Sequence, residues 1–291
     1  MTRPLPFIPC AAGSLCGDRN EQQDRTLTLS LRDRSGLLLA VADGMGGLPC
    51  GGWAAETVLE ALARSVLAQR NAAHHPAATL QKAIADAQET LLCLNREAGI
   101  WSGTTIAAVL ITHRWIAMAH VGDSRIYAFR GPHLLYRSQD HSEVGEMVRM
   151  GLLSRVEATA HPRRNILRHC LGLDRPVEPR VALWPRALVG RLLLASDGVW
   201  TAWDRGSLDP GYPPPGGLQE TLRLAVADAG PGADNASLVE ADLAPGRPRR
   251  AMARPRPGTR EAPFWLRPLD RLIGLYRRLF AEPTGWQPSR D

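Results

Sequence analysis

Short apolar runs bounded by turn residues constrain the fold of this chain more than any other feature. GLLLAVAD (36–43) and RLLLASDG (191–198) have the length and composition of buried strands, and TLTLSLR (26–32) precedes the first of them across the turn-like DRSG. Four more runs at 104–111, 115–121, 125–130 and 134–137 are joined by only THR, GDS and GPH. Connections this short predict antiparallel pairing, so we expect these four strands to form a meander.

Apolar side chains follow a helical repeat over more than four turns in only two stretches. Residues 53–70 and 76–98 carry apolar side chains about four positions apart, which predicts two amphipathic helices. Shorter helices are predicted at 142–151 and 217–229 and a last strand at 236–243, while 155–170 reads as irregular and 204–217 as turn-rich. Many short strands with few long helices predict an α+β fold in which sheets pack on each other with helices outside.

Composition excludes several classes of protein. The 291 residues are 44% hydrophobic, which is enough for a sizeable core, and no apolar run approaches the ~20 residues of a membrane span. Prolines interrupt the N-terminal stretch where an export signal needs an apolar run, so we predict a cytoplasmic protein. The five cysteines form no C-x-x-C pair, which favours reduced thiols over a zinc site.

The net charge of +6 is concentrated at one end of the chain. Residues 245–291 hold 11 arginines against 4 acidic residues, so the rest of the chain is close to neutral. We therefore predict no nucleic-acid partner for the main domain, which we assign to 1–244. The Pro- and Arg-rich stretch 245–263 is predicted to be a flexible linker, and 264–291 a basic amphipathic helix and tail.

The predicted helix at 264–280 has three interpretations. It docks on the main domain or is a weakly ordered appendage, it lies on an anionic membrane surface, or it binds a partner in a groove. Its aromatic side chains and arginines suit the membrane interpretation, which predicts peripheral membrane association.

Five aspartates occupy the ends of predicted strands. Asp43, Asp123 and Asp197 follow apolar runs, whereas Asp24 and Asp234 precede strands. A single Asp-Gly at a strand end is usually an ordinary turn, but converging buried carboxylates repel each other unless a cation lies between them. Oxygen ligands without His or Cys favour Mg²⁺ or Mn²⁺, and two such ions about 4 Å apart can hold a water as hydroxide beside a phosphoryl group.

Eight motifs occur in the order found in one family. The chain resembles the metal-dependent serine/threonine protein phosphatases of the PPM or protein phosphatase 2C type, in their bacterial form. The motifs are RNEQQD (19–24), VADGMGG (41–47), SGTT (102–105), VGDSRIY (121–127), QDHS (139–142), HPRRNILRHCLG (161–172), LLLASDG (192–198) and DNAS (234–237). The resemblance implies a four-layer α/β/β/α sandwich of two antiparallel sheets flanked by helices.

The resemblance also implies roles for individual residues. Asp43 bridges two core metals, the Gly44 carbonyl binds the second, and Asp24 acts through the waters of the second. Asp197 and Asp234 complete the shell of the first metal, and Asp123 with Asp197 holds a third ion. Arg19 binds the substrate phosphate, and a metal-bridging hydroxide attacks phosphorus in line. The flap residues implied to lie near the site are His161, Arg163 and Arg164, and Asp140 is an outer-shell candidate for the third metal.

The implied activity is hydrolysis of phosphoserine and phosphothreonine in proteins, reversing a bacterial Ser/Thr kinase in signal transduction. The implied partners are therefore that kinase and its phosphorylated substrates. Several residues depart from the family pattern, among them Gln23, which replaces a common glutamate, and Met45, which stands where eukaryotic members have a histidine proposed as general acid. These departures motivate an alternative, a catalytically weak pseudophosphatase that binds phosphoproteins as a regulator.

Overall fold

Two five-stranded antiparallel sheets lie face to face in the computed structural model, which describes residues 4–45, 50–174 and 177–244. One sheet has the order β1-β10-β9-β6-β7 and the other β2-β3-β4-β5-β8. The strands of the first sheet are β1 (Cys10–Leu15), β6 (Arg125–Arg130), β7 (His133–Arg137), β9 (Arg191–Ala195) and β10 (Ala236–Asp242). Those of the second are β2 (Arg25–Ser30), β3 (Gly36–Ala42), β4 (Ile106–Thr112), β5 (Trp115–Val121) and β8 (Arg180–Pro185).

Helices cover the outer faces of both sheets. The two long helices α1 (Gly51–Ala68) and α2 (Pro76–Ala98) pack on the second sheet, and α5 (Asp197–Asp204) and α6 (Gly217–Ala229) pack on the first. Two short helices, α3 (Glu143–Arg149) and α4 (Arg155–Ala160), lie between β7 and β8 in sequence. The result is an α+β sandwich of four layers, as the resemblance implied.

Alternate residues of each central strand fill different cores. In β9, Leu192 and Leu194 point between the sheets, whereas Leu193 and Ala195 pack against α5 and α6. Strands β6 and β10 alternate in the same way because successive side chains of a strand leave opposite faces. Every residue of β3 and β4 is buried, which explains why these strands read as uninterrupted apolar runs.

Most long elements agree with the sequence predictions, and the weakly patterned ones do not. The structure confirms helices at 76–98 and 217–229 and strands at 115–121 and 125–130. The prediction of irregular structure at 155–170 was wrong where α4 lies, and the predicted strand at 191–198 ends early because α5 begins at Asp197. Strands β1 and β8 were not predicted; both are edge strands with many exposed positions.

The predicted four-stranded meander was also wrong. Strands β4 and β5 pair in one sheet and β6 and β7 in the other, so the chain changes sheets at Gly122–Ser124. Gly122 has φ +101°, and a Cβ at this position would lie 2.6 Å from Thr105 Cγ2. This crossing brings Asp123 to the end of the sandwich between the two sheets.

The described residues all belong to one compact unit. The predicted linker at 245–263 and the predicted helix in 264–291 lie outside the described residues and stay predictions. Among the described helices, none combines the length and the apolar character that crossing a membrane requires.

We expect Gly122→Ala to destabilise the fold by more than about 3 kcal/mol, because a left-handed backbone costs an L-residue about 1–2 kcal/mol and the new methyl also overlaps Thr105. Gly131→Ala is the matched control, since Gly131 has φ +58° and a methyl added there would meet nothing within 4 Å. Gly131→Ala should lose only the stability that a left-handed backbone costs an L-residue, about 1–2 kcal/mol. Urea unfolding measures both variants, and equal losses would contradict a tight crossing at Gly122.

Candidate active site

The five aspartates singled out in the sequence come from different elements that end at one edge of the sandwich. Asp24 precedes β2 and Asp43 follows β3, and the register Arg25–Ala42 places them side by side. Asp123 lies in the crossing between β5 and β6, Asp197 begins α5, and Asp234 precedes β10. Antiparallel pairing therefore brings residues more than 200 positions apart in sequence to the same end of the fold.

Four of these carboxylates line one open cavity of about 650 Å³. Asp43, Asp123, Asp197 and Asp234 share its wall with Gly44 and Arg19. Asp24 is only 2% exposed and lies behind that wall. Seven further residues line the cavity, none of which the sequence identified as a metal ligand. They are Asn20, Glu21, Gln23, Met45, Thr105, Asn165 and Asn235.

Backbone and hydroxyl hydrogen bonds hold Asp43 in place. Thr105 N–H donates to the Asp43 carbonyl at 2.8 Å, and the Thr104 hydroxyl donates to the same oxygen at 2.8 Å. Asp43 N–H in turn donates to Thr105 Oγ1 at 3.1 Å. The SGTT motif therefore anchors the bridging-aspartate candidate, and the Thr105 hydroxyl is engaged with Asp43 and with Ser124 at 2.7 Å.

Asp24 has one satisfied and one unsatisfied oxygen. Ser196 Oγ donates to Asp24 Oδ2 at 2.7 Å and itself accepts from Ser237 N–H at 2.9 Å. Asp24 Oδ1 is buried without a hydrogen-bond partner. A buried carboxylate oxygen left in this way is costly unless a cation or a proton compensates its charge.

Asn235 ties the Arg19 loop to the Asp234 loop. Its side-chain amide donates to the carbonyls of Cys16 at 2.8 Å and Glu21 at 3.0 Å, and its oxygen accepts from Gln23 N–H at 2.7 Å. Asn235 and Ser196 lie within the motifs DNAS and LLLASDG, but the sequence alone indicates no role for either. Their contacts are long-range, so only their position next to an aspartate could have signalled them.

Burial raises the pKa of the clustered carboxyl groups, and their mutual repulsion adds to this effect. Desolvation raises the pKa of Asp24 to about 6 and, together with the charge of Asp140, the pKa of Asp123 to about 7. Burial and then the neighbouring aspartates raise the pKa of Asp43 and Asp197 well above the ordinary value. The protein alone therefore does not compensate the negative charge that it collects here.

The donor set suits a hard divalent cation. The clustered acidic side chains offer carboxylate oxygens, which Mg²⁺ and Mn²⁺ prefer, and a cation would compensate both the orphaned Asp24 oxygen and the repulsion. Across the described residues, no three His, Cys, Asp or Glu side chains are already arranged as a metal-binding group. Asp234 Oδ2 instead pairs with Arg19 Nη2 at 2.7 Å.

Asp140, the outer-shell candidate, is engaged by a buried arginine. Arg125 Nε and Nη2 donate to the two Asp140 oxygens at 2.7 Å each, and Arg125 Nη1 donates to Asp204 Oδ2 at 2.7 Å. The guanidinium also lies over the Trp200 ring, 3.4 Å from its centroid. This arrangement links the loop that bears Asp140 to α5, which begins with Asp197.

The predicted flap residues do not line the carboxylate cavity. His161 follows α4, and Arg163 pairs with Glu143 at 2.7 Å on the surface of the same segment. Arg164 lines a neighbouring cavity instead. Asn165 and Leu167 are the members of this segment that reach the carboxylate cavity, and the sequence reasoning did not single them out.

Comparison with known proteins identifies the family. A family model described as protein phosphatase 2C matches residues 16–215. The chain belongs to the protein phosphatase 2C family. The assignment made from the ordered motifs is therefore confirmed, and with it the interpretation of the chain as a protein serine/threonine phosphatase.

Named relatives are bacterial. The phosphatase is 32% identical over 185 residues to the serine/threonine phosphatase stp of Listeria innocua, in an alignment that covers 62% of this chain and 73% of that protein. It is 30% identical over 215 residues to the serine/threonine protein phosphatase PstP of Mycobacterium tuberculosis, covering 71% of this chain and 40% of that protein.

Solved structures agree with the fold described above. The crystal structure of Mycobacterium tuberculosis PstP aligns with a TM-score of 0.66 at 27% identity, covering 81% of this chain and 98% of the other. A PstP catalytic domain in complex with two manganese ions also aligns with a TM-score of 0.66, at 26% identity, covering 81% and 97%. The family to which this phosphatase belongs is thus metal-dependent, and one relative holds two manganese ions.

Because the pKa of Asp43 is raised, we expect Asp43→Asn to raise the melting temperature without metal and to lower it with metal. A carboxyl group whose folded-state pKa is raised stabilises the fold below its unfolded pKa, near 4, and loses that contribution as pH rises through the folded pKa. In chelator at pH 8 the variant should therefore melt at least about 2–4 °C above the wild type, the shift expected per kcal/mol for a domain of this size. In Mn²⁺ it should melt below the wild type, since a ligand is lost.

Thermal unfolding from pH 5 to pH 8 measures both effects, and the wild type in chelator should show the steeper loss with pH. Glu89→Gln is the matched control, because Glu89 is an exposed carboxylate on α2. A variant that melts below the wild type under both conditions would contradict electrostatic repulsion at this site.

Proposed function

We propose that this phosphatase hydrolyses phosphoserine and phosphothreonine in proteins with two divalent cations, Mn²⁺ or Mg²⁺, and that it reverses a bacterial Ser/Thr kinase. The observation that carries the proposal is the convergence of Asp43, Asp123, Asp197 and Asp234 in one cavity with Arg19 on its wall. A binding module would gain nothing from collecting buried carboxylates that repel each other.

The proposed metal ligands are the residues implied by the family resemblance. Asp43 would contact both core ions, and Asp197 and Asp234 would complete the shell of the first. The Gly44 carbonyl would bind the second ion, and Asp24 would act through the waters of that ion. Asp123 and Asp197 are proposed for a third ion. When bound, the ions would lower the pKa of a water and offset the negative charge of the phosphoryl oxygens.

Arg19 is the proposed phosphate-binding group. Its guanidinium is half exposed and lies at the cavity wall, where it pairs with Asp234. A planar guanidinium donates two parallel hydrogen bonds to phosphate oxygens, so Arg19 can orient the phosphoryl group for in-line displacement. Asp234 competes for the same donors, and a cation on Asp234 would release Arg19 for substrate.

Two of the departures from the family pattern limit what the protein groups can do. Met45 lines the cavity but has no ionisable proton, so it cannot protonate the leaving alkoxide. The Gln23 amide is neutral and lies 3.4 Å from Glu21 Oε2, so it adds no charge to the cation site. The neutral Gln23 supports a weaker hold on one ion rather than loss of the site, and Met45 leaves the proton donor for the leaving group unassigned.

Hydrolysis of an aryl phosphate in Mn²⁺ tests the proposal. The wild type should turn over only in the presence of the metal, and Asp43→Asn should lose at least about 100-fold in kcat, a loss of the size seen when a group that stabilises the transition state is removed. Chelator should abolish turnover and Mn²⁺ should restore it. A folded wild type that binds Mn²⁺ without turnover would support the alternative pseudophosphatase and overturn the catalytic proposal.

The variant Arg19→Lys tests whether bidentate hydrogen bonding by Arg19, and not its positive charge alone, binds the phosphate. The lysine keeps the positive charge but loses the bidentate fork, so KM for the aryl phosphate should rise about tenfold, with a larger rise for Arg19→Ala. Arg70→Ala, at an exposed position after α1, is the control and should leave KM unchanged. An unchanged KM in both Arg19 variants would remove Arg19 from the proposed site.

A further inference from the structure

A second cavity of about 260 Å³ adjoins the carboxylate cavity. The two share Asp123, Asn165 and Asp197 in their walls, so a ligand whose phosphate lies among the carboxylates can extend directly into the second space. The far walls of this second cavity, which we call the arginine cavity, come from α3, α4, the segment after α4, and α5.

Positive side chains dominate the wall that lies away from the shared carboxylates. Two acidic residues, Asp140 and Asp204, face five arginines there: Arg125, Arg137, Arg149, Arg155 and Arg164. The first three already have acidic partners. Arg125 pairs with both aspartates, Arg137 pairs with Asp204 at 3.4 Å, and Arg149 pairs with Glu146.

Arg155 and Arg164 form none of the ion pairs found within the described residues. The acidic residue near Arg155 in sequence, Glu157, is engaged by the Ser154 N–H at 2.8 Å in the capping box of α4. Arg163, the residue before Arg164, pairs with Glu143. Both carboxylates are thus engaged elsewhere, and two exposed guanidinium groups remain at the cavity.

The surroundings of Arg137 are consistent with excess positive charge. Burial, the charge of Arg125 and the charge of Arg155 lower the pKa of Arg137, and Tyr127 and Asp204 only partly offset them. A wall with unmatched positive charge attracts an anionic group.

We propose that the arginine cavity binds a second anionic group of the phosphoprotein substrate, a carboxylate or a second phosphate close to the phosphorylated residue, through Arg155 and Arg164. Guanidinium groups suit both anions because their forked donors match two oxygens at once. Apolar side chains in the same wall, including Val144, Val148 and Ala158, provide a surface for the aliphatic part of that residue. The proposal rests on the proposed phosphatase function, and it makes this phosphatase selective for acidic or multiply phosphorylated sequences.

Matched phosphopeptides test the proposal with the full chain and Mn²⁺. One set carries a single glutamate or a second phosphoserine at successive positions around the phosphothreonine, and the reference peptide carries glutamine or serine there. The readout is the ratio of kcat/KM for each acidic peptide to that for its neutral reference. This ratio should exceed one at the position that reaches the arginine cavity and should fall as ionic strength rises.

Substitution of the two arginines should remove the selectivity. The ratio should fall about tenfold in the double variant Arg155→Ala/Arg164→Ala, the change expected from the loss of charge-assisted hydrogen bonds. Arg155→Glu should shift the preference toward a lysine at the same position. Arg70→Ala, which also removes an exposed arginine, should keep the wild-type ratio.

Binding of the same peptides, followed by fluorescence anisotropy with and without Mn²⁺, gives a readout that needs no turnover. Equal ratios in the wild type and the double variant, in rate and in affinity, would overturn the anionic subsite while leaving the phosphatase function intact. No hydrolysis of any peptide, with an affinity ratio that still depends on Arg155 and Arg164, would overturn the phosphatase function and keep the subsite. A larger effect for glutamate than for phosphoserine, or the reverse, identifies which anion the cavity prefers.

Discussion

Electrostatic repulsion among buried carboxylates is the constraint around which this end of the molecule is organised. Asp24, Asp43, Asp123 and Asp197 all have raised pKa values because burial removes water and each charge disfavours the others. A fold tolerates such a cluster only if surrounding structure holds the side chains together. Here the support comes from both sheets, whose paired strands end at the same edge.

The supporting contacts differ in kind around the cluster. Hydroxyl groups from Ser196, Thr104 and Thr105 fix Asp24 and the backbone of Asp43, and the Asn235 amide joins the two loops that carry Arg19 and Asp234. On the opposite side, Arg125 joins Asp140 to α5 through a buried ion pair with 4% exposure of the arginine side chain. The neutral hydroxyl and amide groups position the aspartates without adding to their repulsion, whereas Asp140, although paired with Arg125, still raises the pKa of Asp123.

Positive charge near the site falls into three groups with different consequences. Arg125 is buried and fully paired, so its contribution is structural, and removal of one partner would leave a buried charge uncompensated. Arg19 is half exposed and pairs with Asp234, so under the proposed mechanism phosphate binding would be coupled to metal binding. Arg155 and Arg164 are exposed and face the adjoining cavity, where they can act on selectivity without touching the carboxylates.

The sequence by itself determined the central strands, the long helices and the five aspartates, because these follow from local periodicity and from the ordered motifs. It did not determine that the chain changes sheets at Gly122. A three-residue connection has the same sequence pattern whether the two strands that it joins pair with each other or belong to different sheets. It also left Ser196, Asn235 and Asn165 without roles, and it missed the exposed guanidinium of Arg155 at the adjoining cavity. Those depend on which long-range partners each side chain meets, and only the tertiary structure decides whether a nearby carboxylate is available or already engaged.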